Sequence, residues 1–444
     1  MIHDAEKNDL VDWRRRVPLR HEADVAVIGG GIAGVCAACA AAVEGASVIL
    51  VERFAVTGGN ATVGGVANWS GETAGQGAIF DEIIAMQEEW DSIAPYPGPV
   101  YGFANTNRVF DHEILAVILQ ELLLRHGVQL LLHTRFVDVQ CEGGILGPAV
   151  VAGASGVEAL SAKVFIDASG GGQVARAAGC ELLPRGERGP IPPSMMYFVR
   201  ELDEEVKPQL PPGWFEPVER EADMPMTSTW PAGPRGKALK LKVIGHDSGD
   251  TIGMTALEIR ARRRMFEVLD FYQRDFRGED TPRRDHPRNA NVTRWQFDHC
   301  SPMIGLRETR RIAGDYVLTL EDLRAGREFD DGIARGAFYL DGLTPDDEKR
   351  TYMLTKEEQV VPPYQIPFRS LIARDADNLL MAGRCFSADQ MALSSARVMT
   401  TCAMMGQAAG IAAAWCADRD RGPRDLDATE LRRRVEERGA NLDV

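Results

Sequence analysis

A glycine-rich turn between an apolar strand and an alanine-rich helix constrains this fold more than any other sequence feature. Residues 24–28 predict a buried strand, and the segment 29–34, which reads GGGIAG, follows it directly. The next residues predict a helix that ends at Gly45, then a second buried strand that is followed by Glu52. This order and spacing, within about 30 residues, are those of a dinucleotide-binding unit.

Each residue type in this unit has a distinct expected role. Gly29 permits the tight turn, Gly31 lets the backbone approach a pyrophosphate, and Gly34 lets the helix pack closely on the strand. The pyrophosphate would then lie at the helix N-terminus. Glu52 lies 18 residues after Gly34, where an acid accepts hydrogen bonds from an adenosine ribose and disfavours a 2′-phosphate.

Later segments favour FAD over a nicotinamide cofactor. Gly58-Gly59-Asn60 follows the acid closely, the segment 167–170 reads DASG after a predicted strand, and 382–384 reads AGR after another. Contacts from the beginning, middle and end of the chain imply a long cofactor in an extended pose. No second Gly-x-Gly-x-x-Gly unit is present to indicate a separate nicotinamide domain.

The chain resembles FAD-dependent oxidoreductases of the glutathione-reductase-like superfamily, and more specifically those related to fumarate reductase and succinate dehydrogenase flavoproteins. The resemblance lies in residues 24–60, 166–170, 305–311 and 378–410. It implies an α/β fold, in which a Rossmann-like FAD-binding domain (a parallel sheet with flanking helices) carries an inserted α+β substrate or cap domain. We expect the FAD-binding domain at 20–184 and 362–444, and the cap domain at 185–361, where prolines cluster near the start.

The resemblance also suggests roles for residues near the C-terminus. A helix predicted over 400–415 would place its N-terminus under the flavin, where its dipole stabilises negative charge on reduction. Arg397, just before this helix, matches an arginine that holds a substrate carboxylate in fumarate-reductase-like relatives. Arg384 stands where relatives commonly have Asp or Glu, so its role stays open, and facing the pyrophosphate is one alternative.

The sequence shows no spacing of residues typical of metal ligands. The residues predicted to bind the cofactor form one set. The set is Gly29, Gly31, Ile32, Ala33, Gly34, Glu52, Arg53, Gly58, Gly59, Asn60, Val137, Ala168, Ser169, Gly170, Gly383, Arg384, Thr400, Thr401 and Cys402.

Candidate catalytic residues are less clearly marked. In a helix expected over about 306–319, Arg307 and its neighbours either hold an anionic substrate or form ion pairs such as Glu308–Arg311. His299 is the best candidate histidine, although a loop or satisfied core position is the alternative. Tyr364 is a comparable candidate. The predicted catalytic set is therefore His299, Arg307, Tyr364 and Arg397.

Charge, apolar runs and cysteine content indicate which partners and which cellular compartment to expect. The chain of 444 residues has a net charge of −15, whereas a duplex-binding protein usually presents a basic face. The uncharged run 25–43 contains four glycines that would break a membrane-spanning helix, so no membrane segment is expected. Cys36 and Cys39 read either as small buried side chains or as a redox pair. No disulfide framework is visible, which favours the cytoplasm.

The sequence therefore predicts a cytoplasmic dehydrogenase or oxidase that uses FAD. A hydride would pass from a small organic, optionally carboxylated, substrate to flavin N5, and dioxygen or a separate electron acceptor would reoxidise the flavin. Two alternatives stay open: a flavin-dependent monooxygenase, because residues 167–176 are distantly similar to a hydroxylase segment, and a non-catalytic FAD-binding subunit. A homo-oligomer also stays open.

Overall fold

The computed structural model of the protein describes residues 14–95, 107–274 and 291–444. The strands in these ranges are β1 (Leu19–Ile28), β2 (Val48–Val51), β3 (Asn68–Trp69), β4 (Ile93–Pro95), β5 (Arg108–Phe110), β6 (Gln129–Leu131), β7 (Arg135–Glu142), β8 (Ile145–Gly153), β9 (Gly156–Asp167), β10 (Ser194–Glu201), β11 (Thr227–Pro231), β12 (Gly236–Lys242), β13 (Trp295–Cys300), β14 (Gly332–Gly336), β15 (Tyr364–Pro367) and β16 (Leu379–Met381). The helices are α1 (Ile32–Val43), α2 (Ala78–Glu89), α3 (His112–Arg125), α4 (Gln173–Ala177), α5 (Thr251–Arg274), α6 (Leu320–Arg324), α7 (Gln390–Ala396), α8 (Met399–Arg419) and α9 (Ala428–Glu437).

The largest sheet contains the predicted dinucleotide-binding unit. β1 pairs in parallel with β2 and with β9, so that Val25 lies opposite both Val48 and Val164. β6 extends the sheet beyond β2, and β16 pairs in parallel with the end of β9. β7 and β8 continue the sheet through antiparallel pairing with β9. The predicted α/β fold with a largely parallel sheet is therefore confirmed.

Two helices of small residues cross closely beside this sheet. A Cβ atom added at Gly406 or Gly410 of α8 would meet the backbone of Ala33 or Ala37 on α1. The small side chains thus allow the backbones of α1 and α8 to approach. Cys36 and Cys39 are fully buried free thiols in α1, and burial raises the pKa of both. These observations support their role as small packing residues, because a redox pair needs accessible thiolate.

A second, antiparallel sheet has the strand order β11-β12-β10-β13. Helix α5 packs against it, and together they bury a separate apolar cluster that includes Tyr197, Leu241, Met265 and Trp295. The larger cluster around β1 and α8 includes Ile312. Because residues 312–361 contribute to that larger core, we propose that the second domain ends nearer residue 310 than residue 361.

The prediction of a helix over 306–319 is wrong. This segment is irregular, with bends and isolated bridges, and it forms backbone hydrogen bonds with distant parts of the chain: Leu183 N–H donates to Arg311 O, and Ile312 N–H donates to Cys385 O, at 2.9 and 3.1 Å. Isolated bridges also join Gly305 to Ser194. Tertiary pairing therefore overrides the local helix propensity.

No helix among the described residues is long and apolar enough to cross a membrane.

Candidate functional site

Most of the predicted cofactor-binding residues line one cleft, which we call the glycine cleft. It lies at the carboxyl ends of β1, β2 and β9, beside the start of α1. The predicted residues that line it are Gly29, Gly31, Ile32, Ala33, Glu52, Arg53, Gly58, Gly59, Asn60, Ala168, Ser169, Gly170, Gly383, Arg384 and Cys402. Segments from three widely separated parts of the chain thus converge, as the argument for an extended cofactor requires.

The three glycines of the first turn are needed for different reasons. Gly29 has φ +106°, and an added Cβ would lie 2.5 Å from Ala168 O. A Cβ on Gly34 would strike the carbonyl oxygen of Gly29. Gly31 differs from both, because its φ of −65° suits any residue and its added Cβ would meet nothing within 4 Å. No described residue explains why position 31 is glycine, whereas close approach of a ligand does.

The start of α1 supplies hydrogen-bond donors to the glycine cleft. No side chain caps this helix, and its bonding begins with Val35 N–H donating to Gly31 O at 2.9 Å. The N–H groups of Ile32 and Ala33 precede that bond, and both residues line the cleft. Uncapped N–H groups and the positive end of the helix dipole together favour a bound phosphate.

Glu52 is a buried carboxylate held at the end of β2. Its Oε2 accepts from Gly30 N–H at 2.7 Å, and its Oε1 accepts from Phe54 N–H at 2.9 Å. Each oxygen retains further acceptor capacity, because an ionised carboxylate has about four lone-pair sites. The side chain is oriented by the backbone and lines the glycine cleft, as an acceptor for ribose hydroxyls would be.

Asp167 organises the second predicted turn rather than lining the cleft. This buried carboxylate accepts from Ser169 Oγ at 2.6 Å and from Val174 N–H at 2.8 Å. Burial raises its pKa, while the hydrogen bonds from Ser169, Val174 and Ala175 oppose that shift. Asp167 thereby links the end of β9 to the start of α4 and shapes the backbone of residues 168–170.

Asn60 and Arg384 are two polar lining residues of the glycine cleft. Asn60 Nδ2 donates to Leu306 O at 2.7 Å, while its buried Oδ1 has no hydrogen-bond partner among the described residues. Arg384 also donates to Leu306 O, and burial lowers its pKa to about 10. An orphaned buried acceptor on a residue that lines the same cleft as Gly31 and Glu52 fits a dinucleotide cofactor with a polar ring system. The donors and acceptors of the cleft therefore match the predicted FAD.

A second pocket, which we call the cationic cavity, adjoins the glycine cleft. Its volume is about 320 Å³, and it shares Asn60, Arg384, Arg397 and Met399 with the cleft. Its charged lining residues are Lys240, Arg307, Asp341, Arg384 and Arg397, and its aromatic lining residues are Trp230, Phe338, Tyr339 and Tyr352. The cavity lies between the second sheet and the segment that precedes α8.

Positive charge exceeds negative charge in the cationic cavity. Arg397 Nη2 donates to Asp341 Oδ2 at 2.7 Å, and Arg307 Nε lies 3.9 Å from the same oxygen. Asp341 is the one carboxylate among the described lining residues, against four cationic side chains. Arg307 also donates through Nη1 to Ser194 Oγ at 2.6 Å. Burial lowers the pKa of Arg307 to about 10, so it stays charged at neutral pH.

The two roles expected for the arginine cluster, substrate contact and ion pairing, fall to different residues. Glu308 and Arg311 are buried and paired at 3.1 Å, although in an irregular segment rather than on a helix. Arg307 instead lines the cationic cavity. Ion pairing thus accounts for Arg311, while substrate contact is available to Arg307 and Arg397.

The other two candidate catalytic residues lie outside both pockets. Tyr364 is fully buried in β15, where its hydroxyl lies 2.7 Å from Ser395 Oγ. His299 is an exposed side chain on β13, stacked on Phe198 and 2.9 Å from Asp298 Oδ2. Neither residue belongs to the described lining of the glycine cleft or of the cationic cavity.

Four predicted cofactor-binding residues also lie outside the described lining of the glycine cleft. Val137 is 50 % exposed, while the preceding residue Phe136 lines the cleft, as alternation along a strand requires. Thr400 donates through Oγ1 to Ser70 O at 2.9 Å. The remaining two are Gly34, whose place is set by packing, and Thr401.

Sequence reasoning missed Lys240 and Asp341. A usable signal for Lys240 was the alternation in β12, where leucines at 239 and 241 face a core and lysines at 240 and 242 face the other side. No comparable pattern marks Asp341. No cluster of His, Cys, Asp or Glu that could hold a metal ion occurs in the ranges that the structure describes.

The model of the family described as FAD dependent oxidoreductase matches residues 24–435. A search of curated proteins found no match. Among solved structures, BexE, from studies of oxidation during BE-7585A biosynthesis, is 13% identical with a TM-score of 0.50, and the match covers 94% of this chain and 66% of BexE.

Two further structures have slightly lower scores. A geranylgeranyl bacteriochlorophyll reductase-like protein from Thermoplasma acidophilum is 13% identical with a TM-score of 0.49, over 94% of this chain and 83% of that protein. CabE, an aromatic hydroxylase from angucycline biosynthesis, is 15% identical with a TM-score of 0.49, over 94% of this chain and 65% of CabE. The match therefore spans less than two thirds of BexE and of CabE, and the likeness to BexE supports the fold alone.

Proposed function

Because the chain belongs to the FAD dependent oxidoreductase family, and is therefore an enzyme with FAD as its cofactor, we propose that it oxidises a small organic anion. The substrate would bind in the cationic cavity and carry at least one carboxylate. When bound, FAD supplies the acceptor for the hydride that leaves the substrate. The start of α1 would hold the pyrophosphate and Glu52 the ribose, while Asn60 Oδ1 would accept from the ring system.

The single observation that carries this proposal is the excess of positive charge next to the glycine cleft. Arg307 and Arg397 line the cavity with one carboxylate, Asp341, between them. A guanidinium group binds a carboxylate through paired hydrogen bonds, and buried charges of one sign need a counter-ion. An anionic substrate would satisfy both requirements, whereas a neutral substrate would leave the charges unbalanced.

The chain's own residues would bind and orient this substrate. Arg307 is anchored through Nη1 to Ser194 Oγ and Pro192 O, which fixes the position of its guanidinium group. The aromatic residues of the cavity wall would exclude water from the apolar part of the substrate, and Arg397 reaches both pockets. A rigid carboxylate contact would hold the reacting carbon in one position toward the cofactor.

The electron acceptor and the compartment are also proposals. Dioxygen or a separate electron carrier would reoxidise the reduced cofactor. The eight cysteines are free thiols, which supports a reducing compartment such as the cytoplasm.

An anaerobic substrate screen tests the proposed function. Holoenzyme is mixed without oxygen with small 2-hydroxy and 2-amino carboxylates, and with their neutral amides or methyl esters as matched controls. We expect loss of the visible absorption of oxidised flavin with carboxylates and little with neutral analogues. Equal reduction by both sets would contradict the role of the cationic cavity. A monooxygenase would instead require dioxygen and give an oxygenated product.

A further inference from the structure

Lys240 points into the cationic cavity from the middle of the second sheet. It lies on β12 opposite Met196 on β10 and Ser228 on β11, and all three residues line the cavity. The neighbouring Leu239 and Leu241 are fully buried in the cluster behind the sheet. The side chain of Lys240 therefore extends toward the space that adjoins the glycine cleft, on a rigid strand rather than a loop.

Lys240 is distinguished from Lys242, two residues further along the same strand. Lys242 Nζ donates to three backbone carbonyl oxygens, of Thr344 at 3.0 Å, of Asp347 at 2.5 Å and of Arg350. Lys240 Nζ has no hydrogen bond or ion pair with any residue in the described part of the chain. A lysine amine that faces a cavity without a structural partner is available to a ligand.

The surroundings of Lys240 make its neutral form more accessible than that of an exposed lysine, although the ammonium form still predominates at neutral pH. Its pKa is lowered to about 8, mainly because the side chain is buried; the charges of Arg307 and Arg397 also lower it, and the charge of Asp341 raises it. Burial also keeps the pKa of Tyr339 well above its usual range. The charged and titratable groups that line the cavity with Lys240 are Arg307, Tyr339, Asp341, Tyr352, Arg384 and Arg397.

Resting on the proposed function, we propose that the neutral amine of Lys240 accepts the proton that the substrate loses during oxidation. The C–H bond of the substrate breaks, and its electron pair leaves with the hydrogen as hydride to oxidised FAD. The adjacent O–H or N–H bond breaks, and its proton passes to Lys240 Nζ. A C=O or C=N bond forms, so the substrate is oxidised by two electrons and the cofactor is reduced by two. The ammonium then returns its proton to solvent.

Chemical labelling tests this role without any turnover. Trinitrobenzenesulfonate is an anion that reacts only with neutral amines, and the holoenzyme is treated with it at pH 7 with and without succinate. Repeated over a range of pH, peptide mapping should show that the modification rate of Lys240 rises with a midpoint near pH 8, because the neutral amine is the reactive form. Succinate should protect it. A midpoint near the ordinary lysine pKa of about 10.4 would overturn the proposal.

Variants separate proton transfer from simple charge attraction. With a substrate from the anaerobic screen, Lys240→Met and Lys240→Arg should both slow flavin reduction about 100-fold, because neither accepts a proton. Calorimetry should show that Lys240→Arg still binds succinate with wild-type affinity, and Lys237→Arg is the matched control. The wild-type rate should rise with pH through about 8, since the acceptor must be neutral.

The opposite results have separate meanings. A Lys240→Arg enzyme with the wild-type rate, or a wild-type rate that falls as pH rises through 8, would show that Lys240 only attracts the anion, and would overturn its proton-transfer role alone. A screen in which no carboxylate reduces the flavin would overturn the proposed function, and this role with it.

Discussion

Gly31→Val is expected to weaken FAD binding by about 3 kcal/mol or more, which is ~100-fold or more, and to leave the fold intact. The reason is the environment of Gly31, whose added Cβ meets no other atom within 4 Å and whose φ is −65°. A valine is therefore compatible with the chain but projects into the space that a pyrophosphate would occupy. Flavin fluorescence quenching gives the affinity, and thermal unfolding without added FAD gives the stability.

Gly34→Val is the contrasting variant. Its Cβ would strike the carbonyl oxygen of Gly29, so we expect it to destabilise or unfold the protein with or without FAD. The pair separates a glycine needed for a ligand from a glycine needed for packing. An unchanged affinity in Gly31→Val, or a loss of stability as large as that of Gly34→Val, would contradict the assignment of the glycine cleft to FAD.

Arg307→Met is expected to weaken the binding of small carboxylates about 100-fold, near 3 kcal/mol. Arg307 is 9 % exposed, and its guanidinium group is held by Ser194 and Pro192 at the wall of the cationic cavity. Removing it leaves a bound carboxylate with one arginine fewer as a partner. Arg307→Lys should recover only part of the affinity, because an ammonium group lacks the paired donors of guanidinium.

Calorimetric titration of the holoenzyme with succinate measures this effect. Arg310→Met is the matched control, because Arg310 lies in the same segment but outside the described cavity lining, near Asp247. It removes the same charge from the chain and should change succinate affinity by less than about twofold. Equal losses in both variants would indicate that overall charge, rather than the cavity, attracts the anion.

The glycine cleft was predictable because its residues are close in sequence or mark strand ends. Gly29, Gly31 and Glu52 form one local unit whose spacing dictates its geometry, and segments 168–170 and 383–384 each follow a parallel strand. The carboxyl ends of parallel strands meet at one edge of a sheet, so these segments had to converge. Local pattern and topology therefore agree at this site.

The cationic cavity was only partly predictable because tertiary pairing builds it. Arg307 was expected on a helix, but its segment is irregular because β10 and residues near 183 and 385 pair with it. Lys240 reaches the cavity from β12, far from Asp341 and Arg397 in sequence. His299 and Tyr364 were chosen by residue type, and neither type indicates on which face of a strand the side chain lies.

The most direct test of the central claim is a difference spectrum of the holoenzyme during titration with succinate, compared with succinamide. The proposed anion site adjoins the glycine cleft, because both are lined by Asn60, Arg384, Arg397 and Met399. We expect a saturable change in the visible absorption of bound flavin with succinate, none with the neutral diamide, and a weaker affinity in Arg307→Met. Calorimetric binding of succinate without any change in the flavin spectrum would contradict the account.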